Sequence, residues 1–259
     1  ICGEETALMT SIEGNRGYPR FKPPFPAAAG LWGMPTTINN TETLACTISI
    51  LERGPEWFAS IGNDEKNSGP KLYALSGHVK RPGVYEAPMG LPLMELINDL
   101  GGGMKHDDRP LKACIPGGSS VPVLRADECN VNMDFDSLMK AGSARGSAGV
   151  IVMDSSPCMV NALLRVAHFY SPESCGPCTP CRQGTGWMEQ ILQRIEDGKG
   201  RPEDLDLLVH VADNIEGNTI CALGEAAAWP VQSFVKKFRD EFQAHIDAGR
   251  CVVNAQAAH

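Results

Sequence analysis

The sequence predicts an α+β protein in three parts, and three observations carry the prediction. Residues 70–115 hold a strand, turn, strand, helix and strand in series, the layout of a β-grasp. From about Ser156 onward, apolar residues recur at helical spacing in successive stripes, the pattern of a four-helix bundle. Before residue 69 the chain is rich in Gly, Pro and Asn, and short helices alternate with extended stretches. The boundaries this implies are 1–68 for the first region, 69–118 for the β-grasp, 119–155 for a linker with strands returning to the first region, and 156–259 for the helical bundle.

The first region opens with a turn and a short helix that stops at Gly14. Glu4 and Glu5 fall in its first turn, where solvated carboxylates complement the helix dipole. In Gly17-Tyr-Pro-Arg-Phe-Lys-Pro-Pro-Phe-Pro26 the prolines remove donors and fix φ, so this stretch reads as an extended connector. A helix follows over Leu44–Leu51, with Asn39, Asn40 or Thr41 as its cap. Short polar side chains at a helix start can also seat a phosphate, although capping is their commoner role.

In the β-grasp, Lys71–Lys80 is a strand, Arg81-Pro-Gly83 a turn and Val84–Glu86 a second strand. Leu91–Leu100 is an amphipathic helix closed by Gly101-Gly-Gly103, and Lys112–Pro116 a further strand. Gly117-Gly-Ser-Ser120 lacks the Lys-[Ser/Thr] of a phosphate loop and reads as a turn. In the bundle the stripes are Met159, Leu163, Ala167 and Tyr170; Met188, Ile191, Leu192 and Ile195; Leu205, Leu208, Ala212 and Ile215; and Val231, Phe234, Phe238 and Phe242. These Met and aromatic positions are core, and His210 and His245 are expected to face solvent.

Composition narrows the function classes. With 259 residues the chain can bury real cores, and 42% hydrophobic content suits a globular protein. A net charge of −8 argues against nucleic acid as the main partner. No run of about 18 apolar residues occurs, so nothing reads as a bilayer span. Ten cysteines in a chain of this length fit a metal or cluster protein in a reducing compartment better than a disulfide scaffold.

The most specific pattern is Cys175-Gly-Pro-Cys178-Thr-Pro-Cys181. Three thiolates at this spacing can wrap one corner of an iron–sulfur cube. Zinc usually takes its thiolates as pairs from two separate knuckles, and a zinc site or a group of buried thiols are the alternatives. The ferredoxin pattern would put a fourth ligand four residues after Cys181, but Thr185 stands there, so the fourth must be remote. Cys221 follows a helix stop at Gly217 and cap residues Asn218 or Thr219, so it falls at a helix start that favours thiolate. Cys158 opens an apolar helix and reads as an inert core residue.

The segments Glu173-Ser-Cys-Gly-Pro-Cys-Thr-Pro-Cys-Arg-Gln-Gly184, Ile215-Glu-Gly-Asn-Thr-Ile-Cys-Ala-Leu-Gly224 and Ala228-Trp-Pro230 resemble the family of flavoprotein, NADH-binding subunits of respiratory complex I, NADH:quinone oxidoreductase. The likeness runs from Ile1 to about residue 245. It implies a [4Fe–4S] cluster on Cys175, Cys178, Cys181 and Cys221. It also implies an FMN pocket lined by Cys2-Gly-Glu-Glu-Thr-Ala-Leu8 and Pro35-Thr-Thr-Ile-Asn-Asn40, so that region 1–68 is part of a flavin/NADH-binding α/β domain. Gly3 would let the backbone approach the flavin, and Asn39, Asn40 and Thr41 would hold its ribityl phosphate end. Glu4 and Glu5 would flank the nicotinamide and its ribose, with Lys22 and Phe25 bordering bound NADH. The β-grasp would be the family's ubiquitin-like, soluble-ligand-binding domain.

The activity implied is hydride transfer from NADH to FMN, then single electrons to the cluster and onward toward quinone. Such chemistry needs no acid–base constellation, and no catalytic side chain is assigned. The implied partners are the small [2Fe–2S] and large iron–sulfur subunits of the peripheral arm, on the cytoplasmic face of a bacterial membrane or its mitochondrial matrix equivalent. A start at Ile1 reads as a fragment or processed piece, with the family's Gly-rich segment and adenine-sandwiching aromatics expected ahead of it. The 259 residues alone are then expected to hold the cluster but bind FMN poorly. Diaphorase subunits of NAD-linked hydrogenases and formate dehydrogenases share these motifs and form the rival reading; an end soon after Phe234-Val-Lys-Lys-Phe-Arg239 favours complex I. A non-catalytic iron–sulfur scaffold is the third.

Overall fold

The computed structural model describes residues 2–64 and 66–253. Ile1, where the likeness begins, and residues 254–259 of the expected bundle lie outside the described residues. Helix α1 (Glu5–Ile12) begins at an N-cap, Glu4, whose carboxylate accepts from the Ala7 N–H at 2.8 Å. Its Thr6 hydroxyl accepts from the Arg20 N–H at 2.8 Å, and Glu13 pairs with the Arg20 guanidinium, so the proline-rich connector is tied back onto the helix. Both Lys22–Pro23 and Pro23–Pro24 are cis. Helices α2 (Thr41–Arg53) and α3 (Pro55–Ala59) complete the region, with Asn40 capping α2 through bonds from Glu42 N–H (2.9 Å) and Thr43 N–H (3.3 Å).

A short ribbon, β1 (Gly62–Asp64) with β2 (Asn67–Ser68), leads into the sheet. Strand β3 (Pro70–Gly77) pairs antiparallel with β4 (Gly83–Pro88), the expected hairpin. Helix α4 (Leu93–Glu95) widens into a π-turn over Leu96–Leu100 before the glycines. Strands β5 (Leu111–Ile115) and β6 (Leu124–Arg125), helix α5 (Phe135–Lys140) and strand β7 (Gly149–Asp154) follow. The sheet order is β4-β3-β7-β5-β6, with β3 and β7 parallel and the other neighbours antiparallel.

The segment 119–155, expected as a linker with strands returning to the first region, therefore supplies the middle strand of the β-grasp sheet. The physical reason is visible in β7 itself. Gly149-Val-Ile-Val-Met-Asp154 is an apolar run buried on both faces, as a central strand requires. Val150 and Val152 join Tyr73, Leu93 and Leu96 in the core of the grasp, whereas Ile151 and Met153 point into the helical core. Cys114 and its neighbours Ala113 and Ile115 divide between the two cores in the same way.

Helices α6 (Met159–Glu173), α7 (Thr179–Glu196), α8 (Asp204–Ile215) and α9 (Leu223–Lys237) pack in sequence, and α9 returns to α6. The last predicted stripe is broken: Phe238 leaves helical geometry at φ −122°, ψ 26°, and Phe242 lies on a separate helix, α10 (Arg239–Ala248), against α6 and α9. His210 is exposed, as expected. His245 is not; it is 0% exposed, because α10 turns that face inward with Phe242. Ser233 joins bundle to sheet by accepting the Val123 N–H at 3.1 Å, and Lys237 pairs with Glu128 at 2.6 Å.

Candidate cluster and nucleotide sites

The three clustered cysteines sit where α6 gives way to α7. Pro172 falls in the last turn of α6, and Gly176 takes φ +98°, a conformation closed to L side chains, so the chain reverses within four residues. Cys178 is the N-cap of α7, Pro180 lies in its first turn, and Cys181 follows. The x2 spacing thus places one thiol in the loop, one at the cap and one on the first turn of the same helix. Thr185, which occupies the expected ferredoxin ligand position, is buried and donates to the Cys181 carbonyl at 2.8 Å.

Cys221 reaches the same place from the other side of the bundle. Helix α8 stops at Glu216, with Gly217 at φ +73°. Asn218 and Thr219 do not cap α9, as the sequence suggested. The Asn218 amide donates instead to the Asn214 and Glu216 carbonyls, and the Thr219 hydroxyl to the Cys221 carbonyl. Cys221 precedes α9 by two residues, and the Leu223 N–H on the first turn bonds to its sulfur. The Ile220 N–H lies 3.4 Å from the Cys178 sulfur, a direct link between the two chain segments. Glu216 braces the loop by accepting Trp229 Nε1–H at 2.7 Å and Gln232 Nε2–H at 2.9 Å.

Burial raises the pKa of Cys175, Cys181 and Cys221, and each is raised further by its neighbours: Cys221 and Cys178 act on Cys175, all three others on Cys181, and Cys178 on Cys221. A cationic centre between Cys175, Cys181 and Cys221 would oppose these upward shifts and favour their thiolates. Zinc–sulfur bonds of about 2.3 Å would hold sulfurs roughly 3.8 Å apart. Among the described residues, a donor set compact enough for a single ion occurs elsewhere, at Cys158, His245 and Cys251. At the four-cysteine site the Ile220 and Leu223 N–H groups are aimed at the Cys178 and Cys221 sulfurs, as donors to a sulfur that carries negative charge would be.

The first region meets the bundle at this end. Arg16 donates to the Pro172 carbonyl at 3.3 Å and lowers the pKa of Cys175, while Glu4 raises that of Cys221. Lys22 gathers both acids, lying 3.3 Å from Glu4 and paired with Glu5. The Glu5 bond first, then desolvation in opposition, sets a net upward shift for Lys22; the same Lys22 bond lowers Glu5. Glu4, Glu5 and Lys22 thus form one charged group beside the cysteines, and Glu5 is more than a dipole complement. Phe25 stands 61% exposed. A Cβ on Gly3 would meet nothing within 4 Å, so internal packing gives no reason for glycine there.

Asn39 is exposed just ahead of α2, and Asn40 and Thr41 form the start of that helix. Asn40 is committed to capping α2, and α2 is held to the sheet by Glu42, which pairs with Lys71 and accepts the Leu72 N–H at 3.0 Å. Asn40 and Thr41 line a cleft of about 570 Å³ with Glu42, Cys46, Trp57 and Leu72. Sequence reasoning missed that Arg16 and Glu216 order this end; the pairing of Glu216 with Trp229 and Gln232 across a loop has no local signal.

The family described as the NADH-ubiquinone oxidoreductase-F iron-sulfur binding region matches residues 161–245, and an SLBB domain matches 72–124. The F subunit of the NADH-quinone oxidoreductase of Rickettsia typhi is 52% identical over 246 residues, covering 95% of this chain and 58% of that protein. One of the NADH-quinone oxidoreductase F subunits of Rhizobium meliloti is 54% identical, covering 97% and 59%. An NAD+-reducing [NiFe]-hydrogenase superposes with a TM-score of 0.85 at 32% identity, covering 95% of this chain and 41% of that one. The chain therefore spans about three fifths of the length of its curated relatives, and with half its residues identical to theirs it belongs to the family of NADH-quinone oxidoreductase F subunits.

Proposed function

We propose that this chain is part of the electron-input subunit of an NADH:quinone oxidoreductase. In that role FMN would accept a hydride from NADH and a [4Fe–4S] cluster would carry single electrons onward toward quinone. One observation carries the reading: the Glu4–Glu5–Lys22 group and the four cysteines share one end of the molecule, with Glu4 acting on Cys221. Cys175, Cys178, Cys181 and Cys221 would ligate the cluster in the four-helix part of the bundle. Gly3 would leave room for the flavin ring; Asn39, Asn40 and Thr41 would face its phosphate end. Lys22 would supply charge, and Phe25 a stacking face, to the dinucleotide.

The region 1–68 would be one part of the flavin domain. The apolar stripe of α2, Leu44, Ile48 and Leu51, is exposed, and sequence of the relatives beyond the matched part would cover it. Within a complex the partners would be the small [2Fe–2S] and large iron–sulfur subunits. Among the described residues no helix is long and apolar enough to cross a membrane, which suits a peripheral subunit on the cytoplasmic or matrix side. A diaphorase of a hydrogenase is the second reading; identity of 52–54% to F subunits against 32% to the hydrogenase favours the first.

The test is Cys221→Ser in the full-length subunit. Iron content and low-temperature EPR should show loss of the cluster. A full iron–sulfur complement in that variant would remove the fourth ligand, and with it the path proposed here.

A further inference from the structure

Cys158, His245 and Cys251 meet in the helical core, at the opposite end of α7 from the four cysteines. Their ligand atoms all lie within 4.8 Å of one another. Cys158 is the N-cap residue of α6, His245 lies on α10, and Cys251 follows the left-handed Gly249 that ends α10. Cys158 and His245 are buried, and the Cys158 sulfur is 3.7 Å from His245 Nδ1. A tetrahedral zinc with bonds of about 2.3 Å to sulfur and about 2.05 Å to nitrogen would hold those two atoms roughly 3.6 Å apart.

The outer side of the histidine is unfinished. His245 Nε2 is buried without a hydrogen-bond partner among the described residues, and so is Glu196 Oε2, 3.8 Å away. The other Glu196 oxygen is held by the Asn161 amide at 2.9 Å, which fixes the carboxylate in place. Two orphaned buried polar atoms facing each other are costly in a protein core. A metal on Nδ1 fixes the proton on Nε2 and makes it a stronger donor. The Glu196 carboxylate is then placed as its acceptor, the arrangement that accompanies most metal-bound histidines.

We propose that Cys158, His245 and Cys251 form a second metal site, for a single zinc-class ion, with Glu196 as the carboxylate that orients the imidazole. Two sulfurs and one ring nitrogen select a soft or borderline cation; magnesium and calcium take oxygen donors. On binding, each thiol releases its proton to solvent, and a water completes the fourth position. Glu196 is the last residue of α7 and Cys181 lies in its first turn, so about 22 Å of helix separates this site from the cysteine cluster. The site's role is to clip the segment after α10 onto the start of α6 and the end of α7, outside any electron path.

The full-length subunit, carrying its iron–sulfur cluster and purified under reducing conditions without chelator, is analysed for metals by mass spectrometry. The expected result is one zinc per chain in addition to the cluster iron. Cys251→Ser and His245→Gln should lose that zinc while iron stays unchanged, which separates failure here from failure of the cluster assignment. Glu196→Gln should bind zinc about tenfold more weakly. Cobalt(II) in place of zinc should give a thiolate charge-transfer band in the native protein and none in Cys251→Ser. Absence of zinc after equilibration with free zinc, zinc retained in both ligand variants, or a Cys158–Cys251 disulfide found by thiol mapping of the reduced preparation would each overturn the site.

Discussion

Helices α2 and α7 are both amphipathic, yet one has a core and the other does not. In α7 (18 residues) Met188, Ile191, Leu192 and Ile195 are buried, and the helix packs against α6, α8, α9 and α10. In α2 (13 residues) no residue is buried, although its spacing is as regular. Helix α2 is written by local signals: an Asn cap, a glycine stop at Gly54 and one acid, Glu42, that grips the sheet. An isolated helix of this length is marginal in water, so local signals shape it without securing it. Helical pattern reports that a face wants burial; it does not report whether the burying surface lies in the same chain.

Paired substitutions test this most strongly. Leu192→Ala, at 0% exposure, should cost about 2–5 kcal/mol through lost burial and a cavity. Leu51→Ala, at 82% exposure, should change the stability of this chain by less than about 0.5 kcal/mol. Urea titration of each variant measures both. In the full-length subunit the Leu51 value should rise; equal small values in both contexts would show that the α2 face is a solvated surface.

Next in size is the packing that holds the cluster loop. A Cβ on Gly184 would come within 2.6 Å of the Ile215 side chain, because α7 and α8 approach closely just behind Cys181. Gly184→Val should cost about 1–3 kcal/mol by overpacking and speed iron loss on exposure to chelator. Gly3, in the first region, meets no neighbour, so Gly3→Ala should leave stability unchanged and lower flavin content in the full-length subunit. A stability loss at Gly3 would show a structural role for that glycine.

Much of this contrast was legible in the residues. The x2 cysteine spacing became a loop, cap and first-turn triplet because Pro172, Gly176 and Pro180 enforce that reversal. The hairpin at Arg81-Pro-Gly83 and the glycine stop at Gly217 were local too. What was not legible depended on distant partners. Strand β7 reads as a connector until β3 and β5 are seen on either side of it. His245 reads as a surface histidine until α10 breaks from α9 at Phe238 and rotates it inward. The placing of Glu4 beside Cys221 spans the whole chain and has no periodicity to betray it.

At the nucleotide, Phe25→Ala or Lys22→Ala in the full-length subunit should raise the KM for NADH at near-normal flavin content, a loss of about 1–2 kcal/mol. Lys22 carries a second expectation, because it also holds Glu4 and Glu5 together. Its removal leaves Glu4, which acts on Cys221, and Glu5 without their shared cation. Lys22→Ala should therefore perturb the EPR spectrum of the cluster, and Phe25→Ala should not. Identical spectra would confine Lys22 to the nucleotide.

The smallest effect concerns the single grip of α2 on the sheet. Burial alone would raise the pKa of Glu42; the Lys71 hydrogen bond, the Leu72 N–H and the Lys71 charge outweigh it, and the net shift is downward. A carboxylate with a depressed folded-state pKa contributes stability that is present above its unfolded value, near 4.3, and is lost as pH falls through the folded value. Glu42→Gln removes that contribution at every pH. The native protein should thus melt about 2–4 °C above Glu42→Gln at pH 7, the size expected of a contribution near 1 kcal/mol. The gap should close as pH is lowered below about 4, while the α6–α9 core keeps its helical signal. A gap that stays constant down to pH 3 would mean that the Gln amide, and not the lost charge, accounts for the difference, and the electrostatic attachment of α2 to β3 would fall.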